Sequence, residues 1–352
     1  MTTSNDVPTL LDELLRAGAP SGYEGPAAEI WRKAASFAEL SYDGIGSTIA
    51  RVGEAEPLVA IVGHIDEIGL IITHVDEKGF LWFEPIGGWD PQILVGQRVE
   101  VRGSGGIVPG VAGRKPIHLL EMDQRKKVVE LKSMHIDIGA ADREEAESLV
   151  RVGDPIVIRT EPMKVQGSRL VSKSMDNRLG AFVALEAARL VSEEGGAPGD
   201  VAAVAVAQEE ITFAGARTST FALDPGVAVV VDVTFSTDPP GHNLKELGKH
   251  PTGSGPVIMR GSTLHPQVFE LLHETAEAHD IPFTVDVSGR DTGTDADAVH
   301  LSRAGVPTGV VAIPLRYMHS PVELVELADV RNAARLIAAF AQRLGPGTSF
   351  ER

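Results

Sequence analysis

The stretch Val201-Ala-Ala-Val-Ala-Val-Ala-Gln-Glu-Glu210 joins an unbroken run of small apolar side chains to two carboxylates. Such a run, without polar alternation, predicts a strand over 201–208 that is buried on both faces, as in a parallel sheet. Open α/β sheets bind ligands in the crevice beyond the carboxyl ends of their strands, which is where Glu209 and Glu210 would then lie. Taken alone, a Glu-Glu pair is usually a solvated strand end, because charged side chains are mostly on the surface. In a ligand crevice, one carboxylate can hold a metal while the other moves a proton.

The segments around this run alternate between strand and helix patterns. Before residue 68, the sequence predicts helices over 9–16 and 26–37 and a buried strand over 58–62. After residue 167 it predicts, in order, a helix over 176–193, strands over 201–208 and 227–233, a helix over 266–279, strands over 282–287 and 309–313, and a helix over 327–344. This alternation predicts an α/β fold with a doubly wound, mostly parallel sheet.

The segment between these parts has a different pattern. Short Val- and Ile-rich runs at 70–75, 97–102 and 155–159 are separated by Gly and Pro, and one short helix is predicted over 141–150. We therefore predict a small β-barrel-like domain inserted into the α/β domain. The predicted boundaries are 1–67 and 167–352 for the two parts of the α/β domain and 68–166 for the insert.

Composition narrows the classes of function. The chain has 352 residues, enough for about two domains. It contains no cysteine, so a metal site must be built from His, Asp and Glu. Its formal charge of −17 argues against nucleic acid and anionic membranes as partners. Residues 1–6 lack the features of a signal peptide, so the sequence predicts a cytoplasmic location.

Further metal-capable residues lie near the ends of predicted strands or in the loops after them. His64 and Asp66 follow the strand at 58–62, and Asp176, Asp232 and His319 come later in the chain. A parallel sheet brings such strand ends together, so we expect a cluster. Each residue also has an ordinary interpretation: a core histidine for His64, a helix cap for Asp176 and an exposed loop residue for His319. Asp232, flanked by valines, must be paired or metal-bound if it is buried.

Together these segments resemble the M42 family of metallo-aminopeptidases, the tetrahedral and glutamyl aminopeptidases, over nearly the whole chain. The resemblance is carried by Ala19-Pro-Ser-Gly22, His64-Ile-Asp-Glu67, Ile86-Gly-Gly-Trp-Asp90, Ser174-Met-Asp-Asn-Arg178, Gln208-Glu-Glu210, Asp232-Val-Thr234, Gly293-Thr-Asp-Ala296 and His319-Ser-Pro321. No single motif is strong, but their joint order and spacing are specific.

The resemblance implies an aminopeptidase with two divalent metal ions per subunit, zinc foremost, with cobalt or manganese as possibilities. Asp176 is similar to the ligand that bridges both ions. His64 and Asp232 resemble ligands from opposite sides of the site, with Glu210 and His319 completing the set. By the same resemblance, Glu209 is the general base that deprotonates a metal-activated water, and Asp66 orients the imidazole of His64.

For partners, the resemblance implies peptide substrates and self-association into a homo-oligomer, commonly a dodecamer, through the β domain. The Gly-Gly-Trp segment at 86–90 is equally consistent with an ordinary turn and with an interface or pocket-lining role. Two departures from the family pattern are the segment 211–216 and an expanded loop at 247–256, which puts a transferred specificity in doubt. If the enzyme preferred acidic N-terminal residues, the candidate basic groups would be Arg217, Lys249, Arg290 and Arg316.

Three other functions remain open. A deacylase or carboxypeptidase-like hydrolase can use the same dinuclear scaffold. A glycosidase would need Glu209 and Glu210 to face each other across a sugar, about 5–9.5 Å apart, and such sites are usually flanked by aromatic residues. Aromatic residues make up only 5% of this chain. A non-catalytic assembly protein would be free to lose a ligand, whereas the set here is complete.

Overall fold

A computed structural model describes residues 6–103 and 105–351 of the chain. Its strands are β1 (Glu39–Tyr42), β2 (Thr48–Val52), β3 (Leu58–His64), β4 (Gly69–Val75), β5 (Leu81–Ile86), β6 (Arg98–Gly103), β7 (Gly106–Arg114), β8 (Met134–Asp137), β9 (Pro155–Ile158), β10 (Met163–Lys164), β11 (Arg169–Ser172), β12 (Asp200–Val206), β13 (Val227–Phe235), β14 (Val257–Gly261), β15 (Thr284–Ser288), β16 (Thr308–Leu315) and β17 (Glu323–Glu326). Its helices are α1 (Thr9–Arg16), α2 (Gly25–Ala34), α3 (Pro91–Leu94), α4 (Arg143–Leu149), α5 (Met175–Glu193), α6 (Glu209–Thr212), α7 (Ala214–Leu223), α8 (Leu244–Leu247), α9 (Pro266–Ala278), α10 (Ala296–Val299) and α11 (Leu327–Gln342).

The central sheet has eight strands in the order β1-β2-β12-β3-β13-β16-β14-β15. The four middle strands, β12, β3, β13 and β16, are mutually parallel, as are β14 and β15. The pairings of β1 with β2, β2 with β12 and β16 with β14 are antiparallel. The predicted α/β fold with a mostly parallel sheet is therefore confirmed.

Helices cover both faces of this sheet, and the strand residues alternate between the two layers. Val59 and Ile61 of β3 pack into one apolar cluster with α1, α2, α5, α9 and α11. Ala60 and Val62 of the same strand pack into a second cluster with α7 and α10. Period-two alternation in a strand that is apolar on both faces explains why the sequence shows a continuous run.

Small residues let α5 approach the sheet closely at the strand that carries His64. A Cβ atom built on Gly63 would lie 2.4 Å from the carbonyl carbon of Gly180 in α5, so a larger residue cannot occupy this position without a backbone shift. The close contact fixes the end of β3 against the first turns of α5. It thereby sets the separation between His64 and Asp176.

The region between β3 and β11 contains a closed antiparallel barrel with the strand order β4-β5-β8-β7-β6-β9. Its own apolar cluster includes Leu70, Leu81, Val99, Ile136 and Ile156. The barrel predicted from the short strand runs is thus present. A three-stranded antiparallel sheet, β10-β11-β17, follows it.

Two local predictions are wrong. The strand expected over 201–208 ends at Val206, and Glu209 and Glu210 begin the short helix α6. The chain leaves the sheet because Gln208 adopts a left-handed conformation with φ of 60°. Asp176 is not the cap of its helix, because the neighbouring Asn177 has that role: its Oδ1 atom accepts a hydrogen bond from the backbone N–H of Gly180 at 2.8 Å, where α5 resumes after a kink at residues 176–177.

The helix predicted over 26–37 ends earlier, at Ala34, and the strand predicted over 282–287 runs from Thr284 to Ser288. Within the described residues, no helix combines the length and apolar character needed to cross a membrane. The predicted absence of a signal peptide rests on residues 1–6. Of these, residues 1–5 lie outside the described residues.

Candidate metal centre

Four neighbouring parallel strands of the central sheet end at one edge, and each delivers predicted site residues there. His64 is the last residue of β3, and Asp232 lies within the carboxyl-terminal half of β13. Glu209 and Glu210 follow β12 closely, and His319 follows β16. Asp176, at the start of α5, completes a set of six residues at this edge.

Asp176 lies at the centre of the set. Its Oδ1 atom is 3.2 Å from Nε2 of His64, and its Oδ2 atom is 3.2 Å from Nε2 of His319. The two oxygens of one carboxylate therefore contact two different imidazoles. This arrangement divides the site into a His64 side and a His319 side.

The remaining carboxylates lie on either side of Asp176. Oε1 of Glu210 is 3.5 Å from Nε2 of His319. Oε2 of Glu209 is 3.6 Å from Nε2 of His64, and potential ligand atoms of His64, Glu209 and Asp232 lie within 4.8 Å of one another. The family resemblance put His64 and Asp232 on opposite sides of the site, whereas the structure brings them together in one group.

A second group connects the two sides. Potential ligand atoms of His64, Asp176 and Glu210 also lie within 4.8 Å of one another. Nitrogen and oxygen donors at this spacing are the ligands that zinc, cobalt and manganese accept. The residue types and their spacing fit a divalent cation on chemical grounds.

Asp66 lies behind this ligand set and is completely buried. Its carboxylate accepts hydrogen bonds from the hydroxyl of Ser21 at 2.6 Å and from the backbone N–H groups of Glu209 and Glu210, both at 3.2 Å. Its Oδ1 atom lies 3.5 Å from Nδ1 of His64, and its backbone carbonyl oxygen is 3.3 Å from the same nitrogen. Asp66 therefore contacts both His64 and the start of α6, which holds the two glutamates in place.

The barrel also reaches this site. Nδ1 of His319 lies 3.0 Å from the backbone carbonyl of Gly88, in the segment that the sequence left open between a turn and a pocket-lining role. The neighbouring Trp89 packs partly against the apolar cluster of the barrel and lines a small cavity next to His319. Its indole N–H donates to the carbonyl of Gly69 at 2.8 Å. The segment therefore contacts the candidate metal centre.

The raised pKa values of the buried carboxyl groups in this set favour a nearby cation. Burial raises the pKa of Glu209 to about 10, and the carboxylates of Asp295 and Asp232 act in the same direction. Burial likewise raises the pKa of Glu210 and, more strongly, that of Asp232. Oε1 of Glu210 is buried and has no hydrogen-bond partner among the described residues. Clustered buried acids of this kind need a cation nearby to ionise at neutral pH.

The histidines and Asp176 show the complementary effect. Although burial opposes ionisation, hydrogen bonds from His319 and His64 hold the pKa of Asp176 well below its ordinary value. Burial lowers the pKa of His319, but its contacts with Asp176 and Glu210 outweigh this and raise the pKa to about 11. Protons on the imidazoles thus supply part of the positive charge that the carboxylates require.

Sequence reasoning missed the role of Glu323, a buried residue at the start of β17. Its Oε2 atom accepts hydrogen bonds from the backbone N–H of Met175 at 2.6 Å and of Asp176 at 3.3 Å. Its Oε1 atom accepts one from the N–H of His319 at 2.8 Å. One carboxylate therefore connects the two loops that carry Asp176 and His319.

Asp295 is a second residue that the sequence analysis did not single out, although the Gly293–Ala296 motif was recognised. It is buried, and neither of its carboxylate oxygens has a hydrogen-bond partner among the described residues. Burial raises the pKa of Asp295 to about 7. Its charge also raises the pKa of Glu209, so Asp295 belongs to the same electrostatic environment.

Comparisons with known proteins agree on the family. The M42 glutamyl aminopeptidase family matches residues 46–336. A lysyl aminopeptidase from Pyrococcus furiosus is 35% identical over 347 residues, which cover 96% of this chain and 97% of that protein. The TET aminopeptidase from an archaeon of the Thaumarchaeota from marine sediment superimposes with a TM-score of 0.91 at 37% identity and covers 96% of both chains.

A further solved structure, the TET1 peptidase of Pyrococcus horikoshii, can assemble into a tetrahedron or a large octahedral shell. It superimposes with a TM-score of 0.85 at 30% identity and covers 95% of this chain and 99% of that one. The family match spans well over half of the chain and agrees with the metal-capable cluster at the sheet edge. The chain therefore belongs to the M42 glutamyl aminopeptidase family.

Proposed function

We propose that this chain is a binuclear metal-dependent aminopeptidase that removes N-terminal residues from peptides. The observation that carries the proposal is the geometry of Asp176, whose two oxygens each lie 3.2 Å from a different imidazole. A carboxylate engaged on both sides in this way is suited to bridge two divalent cations, and paired ions are a common hydrolytic arrangement.

In the proposed site, Asp176 would hold both ions. His64 and Asp232 would supply the other ligands on one side, and Glu210 and His319 would supply those on the other. This division follows the two sides of Asp176, since Glu210 lies near His319 and Asp232 lies near His64. Zinc is the ion we propose first, although cobalt and manganese accept the same donors.

When bound, the cations polarise the scissile carbonyl and lower the pKa of water. Glu209 lies on the His64 side and is the proposed general base, which takes a proton from the attacking water and returns it to the leaving amine. Asp66 would act indirectly, through the residues that it positions. Its carboxylate contacts Nδ1 of His64 and accepts hydrogen bonds from the backbone N–H groups of Glu209 and Glu210. Its proposed role is to position the ligand and the base together.

The proposal is tested by assaying chelator-treated protein on aminoacyl amides before and after addition of Zn²⁺, Co²⁺ or Mn²⁺. We expect activity to require metal, and elemental analysis to find two ions per chain. A His319→Ala variant should retain about one. Full activity in the presence of chelator, or one ion per chain in the unmodified protein, would contradict the binuclear mechanism.

The same protein should be tested on N-acyl amino acids and on cellulose, which address the deacylase and glycosidase alternatives. We favour the peptidase over the glycosidase because Glu209 and Glu210 each face an imidazole. Cellulose hydrolysis that survives chelation would support the glycosidase instead.

We also propose a homo-oligomer assembled through an inserted domain at 68–166, between catalytic segments 1–67 and 167–352. The barrel strands, which lie between Gly69 and Ile158, support these boundaries. The barrel strand β7 and the turns between β7 and β8 expose several large apolar side chains, namely Ile107, Val111, Ile117, Leu119, Met122 and Val128. Large apolar residues concentrated in one region are typical of an interface.

Solved structures of the similar TET1 peptidase, one of which is a dodecamer, support the same proposal, and a dodecamer is the expected form. Light scattering coupled to gel filtration measures the mass directly. A monomer at micromolar concentration would contradict this part of the proposal. A cytoplasmic location remains a prediction from the sequence.

A further inference from the structure

A cavity of about 420 Å³ opens next to the candidate metal centre, within the size range of about 300–1000 Å³ for small-molecule sites. Beyond the ligand set and Glu209, its wall combines apolar side chains with threonines and a glycine. These lining residues are Phe213, Val233, Thr234, Phe235, Met259, Thr292, Gly293, Thr294 and Met318. Among the described residues, the wall contains no lysine or arginine, and its only carboxylates are the candidate ligands and Glu209.

The four basic residues considered from the sequence do not supply a cation to this cavity. Arg316 is paired with Asp238, with its Nε atom 3.1 Å from Oδ1, and also donates to the hydroxyl of Thr252 at 3.1 Å. Its charge is therefore already compensated. The other three, Arg217, Lys249 and Arg290, are exposed and are not part of the cavity wall.

The expanded loop at 247–256 also stays outside this wall in the described structure. It is held to the protein by Asp329, whose carboxylate accepts hydrogen bonds from the backbone N–H of Gly253 at 2.7 Å and of Gly255 at 2.8 Å. The loop that departs from the family pattern therefore does not line the cavity, and the wall residues alone would contact a side chain bound there.

We propose that this cavity is the subsite for the N-terminal side chain of the substrate and that it selects apolar residues such as leucine, methionine and phenylalanine over glutamate and lysine. The proposal rests on the aminopeptidase function proposed above. Phe213, Met259 and Met318 offer apolar contact to such a side chain. Each additional methylene group bound in an apolar pocket is worth roughly 10- to 200-fold in specificity.

Charged side chains lack partners in the same cavity. A substrate glutamate would lose its hydration in this cavity. The only cations nearby would be the metal ions, which are already occupied by the peptide backbone. Burying an unpaired carboxylate in this way is costly. A substrate lysine would find only carboxylates that are already committed to the metal ions or to proton transfer. The glutamyl preference in the family description and the lysyl preference of the Pyrococcus furiosus relative therefore have no matching charge in this wall.

The first experiment compares kcat/KM for the p-nitroanilides of leucine, methionine, phenylalanine, glutamate and lysine with metal-loaded protein. We expect each apolar substrate to exceed glutamate and lysine by at least about 10-fold. If glutamate or lysine is cleaved as fast as leucine, the assignment of the subsite is wrong while the aminopeptidase function stands. If none of the five is cleaved with any metal, both proposals fail.

A pair of variants tests whether the cavity wall sets this preference. Phe235 lines the cavity and is 55% exposed, and Phe221 on α7 is 59% exposed but lies outside it. Since both positions are solvent-accessible, Phe235→Lys and Phe221→Lys are comparable changes. The second also removes a surface contact between the Phe221 ring and Arg303, which is weak because both side chains are exposed.

Phe235→Lys should raise the ratio of kcat/KM for glutamate over leucine by about 10-fold at low salt, because it adds a cation to the wall. The gain should shrink as salt screens the new charge. Phe221→Lys should leave the ratio within about twofold of the unmodified protein. An unchanged ratio in folded, metal-loaded Phe235→Lys protein, or an equal rise in both variants, would overturn the proposal.

Discussion

Glu323 offers a direct test of how the candidate metal centre is held together. Its carboxylate accepts hydrogen bonds from the backbone N–H groups of Met175, Asp176 and His319. Replacing Glu323 with Gln keeps the shape but turns one acceptor oxygen into an NH₂ donor that faces a backbone donor. At least one hydrogen bond from a backbone N–H group is lost, and a buried donor left without a partner costs about 1–3 kcal/mol.

We expect this loss to appear mainly in metal affinity, because the loops it loosens carry Asp176 and His319. With about 1.4 kcal/mol for each tenfold change, affinity should fall by about 10- to 100-fold. Residues behind metal ligands typically have effects of this size. Calorimetric titration of the metal-free protein with Co²⁺ measures the affinity, and the visible absorption of bound Co²⁺ reports any change in ligand geometry.

Glu326→Gln is the matched control, since Glu326 ends the same strand. Its carboxylate likewise accepts a hydrogen bond, from the hydroxyl of Ser168, and it forms an ion pair with Arg169, whose Nε atom is 3.6 Å away. This variant should lose stability without a change in Co²⁺ affinity. If Glu323→Gln binds Co²⁺ as tightly as the unmodified protein and the two variants lose the same thermal stability, then Glu323 has only a structural role and the reasoning is refuted.

Three further predictions concern the base, the metal and the barrel. Glu209→Gln should lower kcat by about 10²- to 10⁴-fold while elemental analysis still finds two ions, and full turnover would contradict its role as base. Because burial raises the pKa values of Glu209, Glu210 and Asp232, the folded metal-free protein binds more protons than the unfolded chain, so its stability should fall as pH rises above about 5. The increase in melting temperature on adding metal should therefore be larger at pH 8.5 than at pH 6, and the reverse order in scanning fluorimetry would contradict this sign. Leu119→Asp, in the turns between β7 and β8, should reduce the mass of the assembly, whereas Val287→Asp on the exposed edge strand of the central sheet should not, as measured by light scattering.

The central strands could be predicted from the sequence because buried parallel strands have an unmistakable composition. The runs at 58–62, 227–233 and 309–313 contain almost nothing but Val, Ile, Ala and Gly. The outer strands β1 and β2 could not be predicted, because they lack this apolar composition. β1 and β2 carry polar and charged residues because they lie toward the edge of the sheet, so their composition does not separate them from loops.

The end of β12 could not be predicted because no residue type marks it. The small-residue run continues past Val206, and Gln208 turns the chain out of the sheet in a left-handed conformation that non-glycine residues seldom adopt. The functional interpretation survives this error, since both glutamates still lie at the carboxyl edge of the sheet. Their positions now depend on Asp66, which accepts from their backbone N–H groups.

The positioning residues were the least predictable part of the site. Glu323 and Glu326 belong to one short strand and look equivalent in sequence, and only the fold shows that Glu323 contacts backbone groups nearly 150 positions earlier. Ligands near strand ends can be inferred from local pattern, because the sheet guarantees that such ends converge. A residue that holds those ligands through backbone hydrogen bonds has no local signal, since its partners are defined only after folding.

The contacts of the two imidazoles place the barrel region beside the candidate metal centre as well as at the proposed interface. Both histidines direct Nε2 toward Asp176. The opposite ring nitrogen, Nδ1, contacts the carboxylate of Asp66 in His64 and the backbone carbonyl of Gly88 in His319. When Nδ1 carries the hydrogen, each Nε2 is left with a lone pair for a metal ion. The orienting group for His64 comes from the catalytic fold, but the one for His319 comes from the barrel. A shift of the barrel against the sheet would therefore act first on the His319 side of the candidate metal centre, so the proposed assembly through the barrel would also affect the geometry at His319.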